Sequence, residues 1–267
     1  MFKNISKEIF KYILIIFLLF LFLFPLYYLL LYALLSSPSY IEGKIYIFVK
    51  EWSWTNFKSV IGKEFFIALG YTFLFSTILI MLRIFVFSFA IAGLLKMKTS
   101  FQKVFQYFFL LISLIPEFSI YLALATQLGR LNLRGTVFSA VSNSIFNFFT
   151  FTYVFNVAKA TSLERRKLMI NDNLKWYEKI WYVYRPKLQL AYFLLIIFTF
   201  IGTWNDYLWP DFITKDTKLT NLTIWYINVG VYQAGVLGNL QAAGSFITVL
   251  VPLTIYSIFS KKINQRY

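Results

Sequence analysis

The sequence predicts an all-α polytopic membrane protein with six transmembrane helices and both termini in the cytoplasm. Three observations carry that prediction. Of the 267 residues, 59% are hydrophobic and 22% aromatic, with a mean hydropathy of +0.66; a soluble domain runs nearer half apolar. The excess is gathered into six blocks, at about 12–35, 66–95, 104–125, 136–158, 188–208 and 241–260, each meeting the ~20 residues a helix needs to cross a bilayer. Between the blocks, Lys and Arg are distributed unevenly in alternating loops.

The first block follows MFKNISKEIFK and is too long for the apolar core of a signal peptide. No small-x-small cleavage site follows it, so an uncleaved first span is expected. With the N-terminus inside, the inside loops carry Lys3, Lys7 and Lys11, then Lys96, Lys98 and Lys103, then Lys159 with the seven basic residues of 165–187, then Lys261, Lys262 and Arg266. The outside loops carry Lys44, Lys50, Lys58, Lys63, Arg130, Arg134, Lys215 and Lys218, and only Arg83 lies within a span. The positive-inside rule therefore predicts cytoplasmic termini. Tyr27, Tyr28 and Tyr32, and later Tyr207 and Trp209, fall where an interfacial aromatic belt is expected. With no internal repeat and no long linker, a single transmembrane domain, 1–267, is the economical organisation.

Composition excludes other classes. A net charge of +15 points to nucleic acid only when it forms a face on a soluble fold, and here the charge is loop charge. There is no Cys and no His, which removes disulfides, thiolate chemistry, the common zinc sites and His acid–base catalysis. Eleven acids leave little for a metal centre, and no catalytic, cofactor-binding or metal-ligating residue is predicted.

Three polar features stand out. In the fourth block Ser139, Asn143, Asn147 and Thr150 recur at helical spacing, which predicts one polar face. Such a face serves interhelical packing or, through Asn143 and Asn147, the wall of a pathway. Arg83 and Glu117 come to about the same depth, on the order of 18–20 Å from the cytoplasmic edge at ~1.5 Å per residue. Charges there need partners, so an intramembrane Arg83–Glu117 ion pair is predicted, with Pro116 loosening the backbone beside it. At the end of the fifth block, GTWNDYLWP sets Trp204, Asn205 and Asp206 together. An aromatic plate beside an amide and a carboxylate suits polyhydroxylated ligands, and Asp, Asn and Pro210 equally suit a helix terminus. Asn221-Leu222-Thr223 is a glycosylation sequon on the predicted outer side, of a kind that also arises by chance.

The longest cytoplasmic segment, about 159–187, is basic and amphipathic. Trp176, Tyr177, Ile180, Trp181 and Tyr184 make an aromatic stripe opposite Lys175, Glu178, Lys179, Tyr182 and Arg185. Asp172 and Asn173 interrupt the pattern, Asp as an N-cap and Asn as a residue that tolerates left-handed backbone. The segment predicts helix, tight turn, helix, lying on anionic lipid or docking a protein.

This segment resembles the cytoplasmic loop of permease subunits in binding-protein-dependent ABC importers, whose motif is E-A-A-x-x-x-G, nine residues, then I-x-L-P. Aligned on Pro186, Val183 stands at the Ile, Arg185 at the Leu, Asn173 at the Gly, and Lys167-Leu168-Met169 at Glu-Ala-Ala. Asp172 is the common residue before the Gly. FTFIGTWNDYLWP (198–210), WTNFKSVIGKEFFIALGYTF (54–73), LIPEFSIYLALATQLGRLNLRGTVFSAV (114–141) and LQAAGSFITVLVPL (240–253) resemble successive stretches of carbohydrate-type subunits, in particular the smaller maltose-permease subunit. The family often has a second Pro where Glu117 stands.

The resemblance implies a type I ABC importer permease fold and half of a translocation pathway for a sugar or oligosaccharide. It implies a second permease subunit, a different chain in the family's heterodimers, two ATPase subunits and an extracytoplasmic solute-binding protein. The segment around Asp172 and Asn173 would be the coupling helix, with Tyr177 and Trp181 as anchors; ATP and Mg would bind the partner ATPases. The chain itself lacks a G-x-x-x-x-G-K-[ST] phosphate loop. The competing expectation is a secondary transporter or channel subunit working through an Arg83–Glu117 pair.

Overall fold

The computed structural model describes residues 2–264, with side chains for 7–258 and 260. Among the basic residues assigned to cytoplasmic ends, Arg266 lies outside the described residues, as do the side chains of Lys3, Lys261 and Lys262. Helices dominate: α1 (Phe2–Ala33), α2 (Ser37–Ile41), α3 (Thr55–Val60), α4 (Lys63–Leu95), α5 (Thr99–Ser113), α6 (Glu117–Arg130) and α7 (Val137–Ser142) come first. Then follow α8 (Phe148–Glu164), α9 (Arg166–Asn171), α10 (Trp176–Glu178) running into a π-helical turn (Lys179–Tyr184), α11 (Arg185–Asn205), α12 (Leu208–Thr214), α13 (Leu222–Asn228), a small hairpin β1 (Val231–Tyr232) and β2 (Gly235–Val236), and α14 (Gly238–Asn264).

Among the described residues, four stretches are helical, long and apolar enough to cross a membrane: Lys7–Ala33, Lys63–Leu95, Trp176–Asn205 and Gly238–Ile258. They match the first, second, fifth and sixth predicted blocks. The other two blocks are not continuous helices. The third is broken between α5 and α6, which meet at 94°. Pro116 lies at the bend as the N-cap of α6; without an N–H, and with a ring that crowds the preceding turn, it cannot continue α5. The fourth block is interrupted at 143–147, between α7 and α8.

The chain divides into two compact units, one formed by its ends (1–68 and 222–267) and one by 69–221. In the first, α1 and α14 pack together, and α3 and α13 pack on α14. Leu31, Leu34, Leu35, Leu222 and Ala243 are fully buried there, and Phe65 meets Trp225 with ring centroids 5.1 Å apart. At the end of α1 the Leu34 and Leu35 N–H groups meet the Leu30, Leu31 and Tyr32 carbonyls, whereas the Ala33 carbonyl and that of Leu35 beyond the helix are satisfied from a distance. Asn56 Nδ2 donates to the Ala33 and Leu35 carbonyls at 2.8 and 2.7 Å, and Asn239 Nδ2 donates to Leu35 at 3.1 Å. The start of α14 lies close under Tyr40: a Cβ on Gly238 would come 2.6 Å from the Tyr40 hydroxyl, so a larger residue there would displace that side chain.

In the second unit, α4, α8 and α11 enclose an apolar core of Phe87, Ile91, Leu94, Phe151, Val154, Phe155, Ala158, Leu188, Ala191 and Leu195. A smaller cluster joins α6 to α12 through Tyr121, Ala125, Leu128, Trp209 and Ile213. A third joins α4 to α7 through Phe75, Leu79, Ala140 and Val141. These contacts hold two features in place: the break at 143–147 and the loop from α8 to α11.

Candidate coupling loop and intramembrane polar site

The loop leaves α8 at Glu164, whose carboxylate meets Arg165 Nε and Lys187 Nζ, each at 3.4 Å, so both ends of the loop converge on one acid. α9 then ends in a Schellman turn. Asn173 has a φ of 45°, its N–H donates to Ile170 and the Leu174 N–H donates to Met169. This double closure satisfies the last carbonyls of α9, and Asn is the best non-glycine residue for its left-handed position. The helix–turn–helix expected at Asp172-Asn173 is present. Asp172, however, caps the C-terminus of α9 and not the N-terminus of the next helix. The next helix begins after Lys175, whose N–H donates to the Glu178 carboxylate at 2.6 Å.

Two apolar side chains root the loop in the unit: Met169 and Val183 are buried. They occupy the last Ala position and the Ile position of the aligned motif, whereas Lys167 and Leu168 are exposed. The π-helical turn adds a residue to the register, turning Val183 inward while Trp181 stays outside. Pro186 stands where the π-helical turn passes into α11. The aromatic stripe stands in the open: Trp176, Tyr177, Ile180 and Trp181 are all exposed. Arg185 stacks over Trp181, 3.8 Å from the ring centroid, and Trp176 and Tyr177 meet edge to face. The arrangement is a rigid turn presenting rings with a basic rim, the composition of a binding hot spot.

The second feature lies within the apolar part of the chain. Arg83 on α4 is buried. Its Nε donates to the Ser144 carbonyl at 3.0 Å and the Ile145 carbonyl at 3.3 Å, Nη2 to Ser144 at 2.5 Å and Nη1 to Thr199 Oγ1 on α11 at 2.8 Å. No ion pair within 4.0 Å joins it to Glu117 among the described residues, which corrects the predicted pairing. Glu117 is exposed in the first turn of α6, where a carboxylate faces favourable helix-end dipoles. The guanidinium instead serves unpaired carbonyls of interrupted backbone, which in an apolar setting cost several kcal/mol each if left bare.

The single polar helical face predicted for 139–150 is corrected too. Ser139 forms a capping box with Thr136 at the start of α7. Asn143 follows the last residue of α7, with its amide oxygen buried and unpartnered. Asn147 is the N-cap of α8, accepting from the Thr150 N–H at 3.0 Å and the Thr150 hydroxyl at 2.9 Å. Spacings of three and four are those of a helical face and also of a cap with its third residue, so periodicity could not separate the two.

Trp204, Asn205 and Asp206 close α11. Trp204 is buried against Phe73 and Phe200, with centroids 5.7 and 5.2 Å away, so its ring is not an open stacking plate. Asn205 is exposed at the end of the helix and Asp206 is its C-cap. Asp206 Oδ2 accepts from Ser144 Oγ at 3.4 Å, and its carbonyl accepts from Asn221 Nδ2 at 2.7 Å. The helix-terminus alternative fits this geometry. Pro210 does not stop a helix; it sits in the first turn of α12. Asn221 of the sequon is buried and engaged by this bond. Sequence reasoning missed Thr199, Ser144 and the Trp209 indole, which donates to the Ser139 carbonyl at 2.8 Å; no local pattern marks long-range partners.

The profile of the family described as "binding-protein-dependent transport system inner membrane component" matches residues 84–267. Among curated proteins, the lactose transport system permease protein of Rhizobium radiobacter is 22% identical over 156 residues, 58% of this chain and 57% of that one. A probable ABC transporter permease protein of Mycoplasma pneumoniae is 25% identical over 233 residues, 80% of this chain and 72% of that one. Among solved structures, a chain of a bacterial ABC transporter involved in import of the acidic polysaccharide alginate shares the fold with a TM-score of 0.73, at 15% identity over 97% of both chains. With more than two thirds of its length matched by the family profile, this multi-pass chain belongs to the binding-protein-dependent transport system inner membrane components.

Proposed function

We propose that the chain is one permease subunit of an ATP-driven importer of a sugar or oligosaccharide. It acts as a single domain, 1–267, of six spans with both termini cytoplasmic, two of the spans being broken. The observation that supports this best is the loop 159–187. A Schellman turn fixed by Asn173, rooted through Met169 and Val183, leaves Tyr177 and Trp181 exposed, with Arg185 stacked on the Trp181 ring. Such rings fill a cleft on a partner, here one of two ATPase subunits that bind ATP and Mg. A second permease subunit completes the pathway, and an extracytoplasmic solute-binding protein delivers the cargo. The saccharide class rests on the printed names of the lactose and alginate relatives. Asn143, Asn205 and Asp206 are the candidates to line the route, as polar groups at a helix break and a helix end.

Closure of the ATPase pair on ATP would pull the loop, and the motion would reach the spans through α8 and α11, which enclose it. The test is Asp172→Lys. A cation at the C-terminus of α9 suits its dipole, so the turn should persist while a docking charge is reversed. Full membrane insertion with loss of uptake, and of substrate stimulation of ATP hydrolysis in liposomes holding all subunits, is the expected result. Unchanged uptake would refute the assignment of this loop.

A further inference from the structure

The segment from α2 to α3 folds back along α1. After α2 the chain does not stay at the end of that helix: the Tyr27 hydroxyl donates to the Ile47 carbonyl at 2.6 Å. Tyr27 lies six residues before Ala33, the last residue of α1, which at ~1.5 Å per residue is about 9 Å back down the helix. The chain then climbs again, and the Ser53 N–H reaches the Leu34 carbonyl at 2.9 Å. Residues 41–54 thus form a flap whose tip hangs beside the last two turns of a spanning helix.

The flap is sorted by polarity. Its four charged side chains are all engaged. Glu42 lies 3.3 Å from Lys44 and 3.7 Å from Lys50; Lys50 reaches the Tyr46 hydroxyl at 3.1 Å and Ser39 Oγ at 3.4 Å; Glu51 accepts from the Ser36 N–H at 3.1 Å and Ser36 Oγ at 2.7 Å. The Lys44 ammonium bonded to Glu42 holds that carboxyl below its usual range. The apolar side chains have the opposite fate: Ile45 and Phe48 are each 80% exposed, and Ile41, Ile47, Trp52 and Trp54 are exposed as well. This surface continues that of α1, whose apolar side chains from Ile9 to Tyr27 are also exposed.

We propose that residues 41–54 are a lipid-interface anchor, with Ile45, Ile47 and Phe48 entering the acyl-chain boundary beside α1 and Trp52 and Trp54 at headgroup level. Exposed aromatic and aliphatic groups at that depth, with the lysines held by Glu42, match the preference of amphipathic segments for the membrane boundary. The ion pairs of Glu42 with Lys44 and Lys50, and the Ser36 hydrogen bonds to Glu51, lower the cost of bringing carboxylates toward it. The occupant is lipid because the flap runs down the flank of a spanning helix, which places its tip at bilayer depth whichever side of the membrane it faces.

The chain has no cysteine, so a single Cys can be introduced at position 44, 45, 47 or 48 of the full-length protein in nanodiscs and given a nitroxide label. The expected result is that labels at 45, 47 and 48 collide more with oxygen than with a water-soluble nickel chelate, and the label at 44 the reverse. Tyr27→Phe should shift the label at 48 toward the aqueous pattern. Nickel access at 45, 47 and 48 equal to that at 44 would place the flap in water and overturn the proposal. Protection from both agents would show protein covering the flap, a second permease subunit included, and would overturn it equally. An unchanged label at 48 in Tyr27→Phe would remove the tether from the account.

Discussion

Two interruptions of helix in the second unit, at 172–175 and at 143–147, are resolved in opposite ways. At the first, the bonds that fix the turn are local: the Asn173 and Leu174 N–H groups close the end of α9 and the Glu178 carboxylate takes the Lys175 N–H. At the second, two carbonyls draw on a guanidinium 61 and 62 residues away in sequence. Water accounts for the difference. A break in a loop has solvent as an alternative partner, so a short local cap is enough to fix its shape. A break within an apolar block has none, so the chain must bring its own donor, and Arg supplies five N–H groups in a planar fork. The first break leaves the rings of Trp176, Tyr177 and Trp181 exposed; the second ties α4, α7–α8 and α11 together.

The largest effect expected from breaking this contrast is at Arg83. Arg83→Met should leave the Ser144 and Ile145 carbonyls bare and cost roughly 3–5 kcal/mol, the usual penalty for removing one member of a buried polar set. Thermal unfolding of the detergent-solubilised protein measures it, and Arg83→Lys should recover only part, because one ammonium cannot span three acceptors. Next is Trp181→Ala, which should weaken association with the ATPase by about 2 kcal/mol, or some 30-fold, with little change in unfolding temperature; co-purification titrations separate the two. Asn147→Ala removes the N-cap of α8 and should cost about 1 kcal/mol of stability. The smallest effect is Asn173→Gly, which keeps the left-handed turn and should change stability by no more than a few tenths of a kcal/mol. Asn173→Val, which cannot hold a φ of 45° without strain, should destabilise the loop and reduce coupling.

Some of this was legible in the sequence for a clear reason. The turn at Asp172-Asn173 could be foreseen because its signals are local: a break in amphipathic spacing and an Asn suited to positive φ. The Arg83–Glu117 ion pair failed because equal depth was taken for direct contact. Depth follows from counting residues along two helices, whereas the direction of a side chain depends on how those helices pack and on where Pro116 turns the second one by 94°. The polar stripe of 139–150 failed for another reason: caps and helical faces share the spacings of three and four, and only the φ and ψ of Asn147, −137° and 115°, tell them apart.

The sequence by itself determined that the chain enters a membrane, where its apolar blocks begin and end, and which segment carries a tight turn between amphipathic stretches. Those properties are sums over neighbouring residues: hydropathy, charge bias and local backbone preference. Tertiary structure alone decided that two of the blocks are broken, that Arg83 serves carbonyls and not a carboxylate, that Trp204 is buried, and that the flap at 41–54 lies along α1. Each depends on which distant group arrives to satisfy or cover another, and a buried polar group accepts any partner of suitable geometry, so its own neighbourhood in the chain does not name that partner.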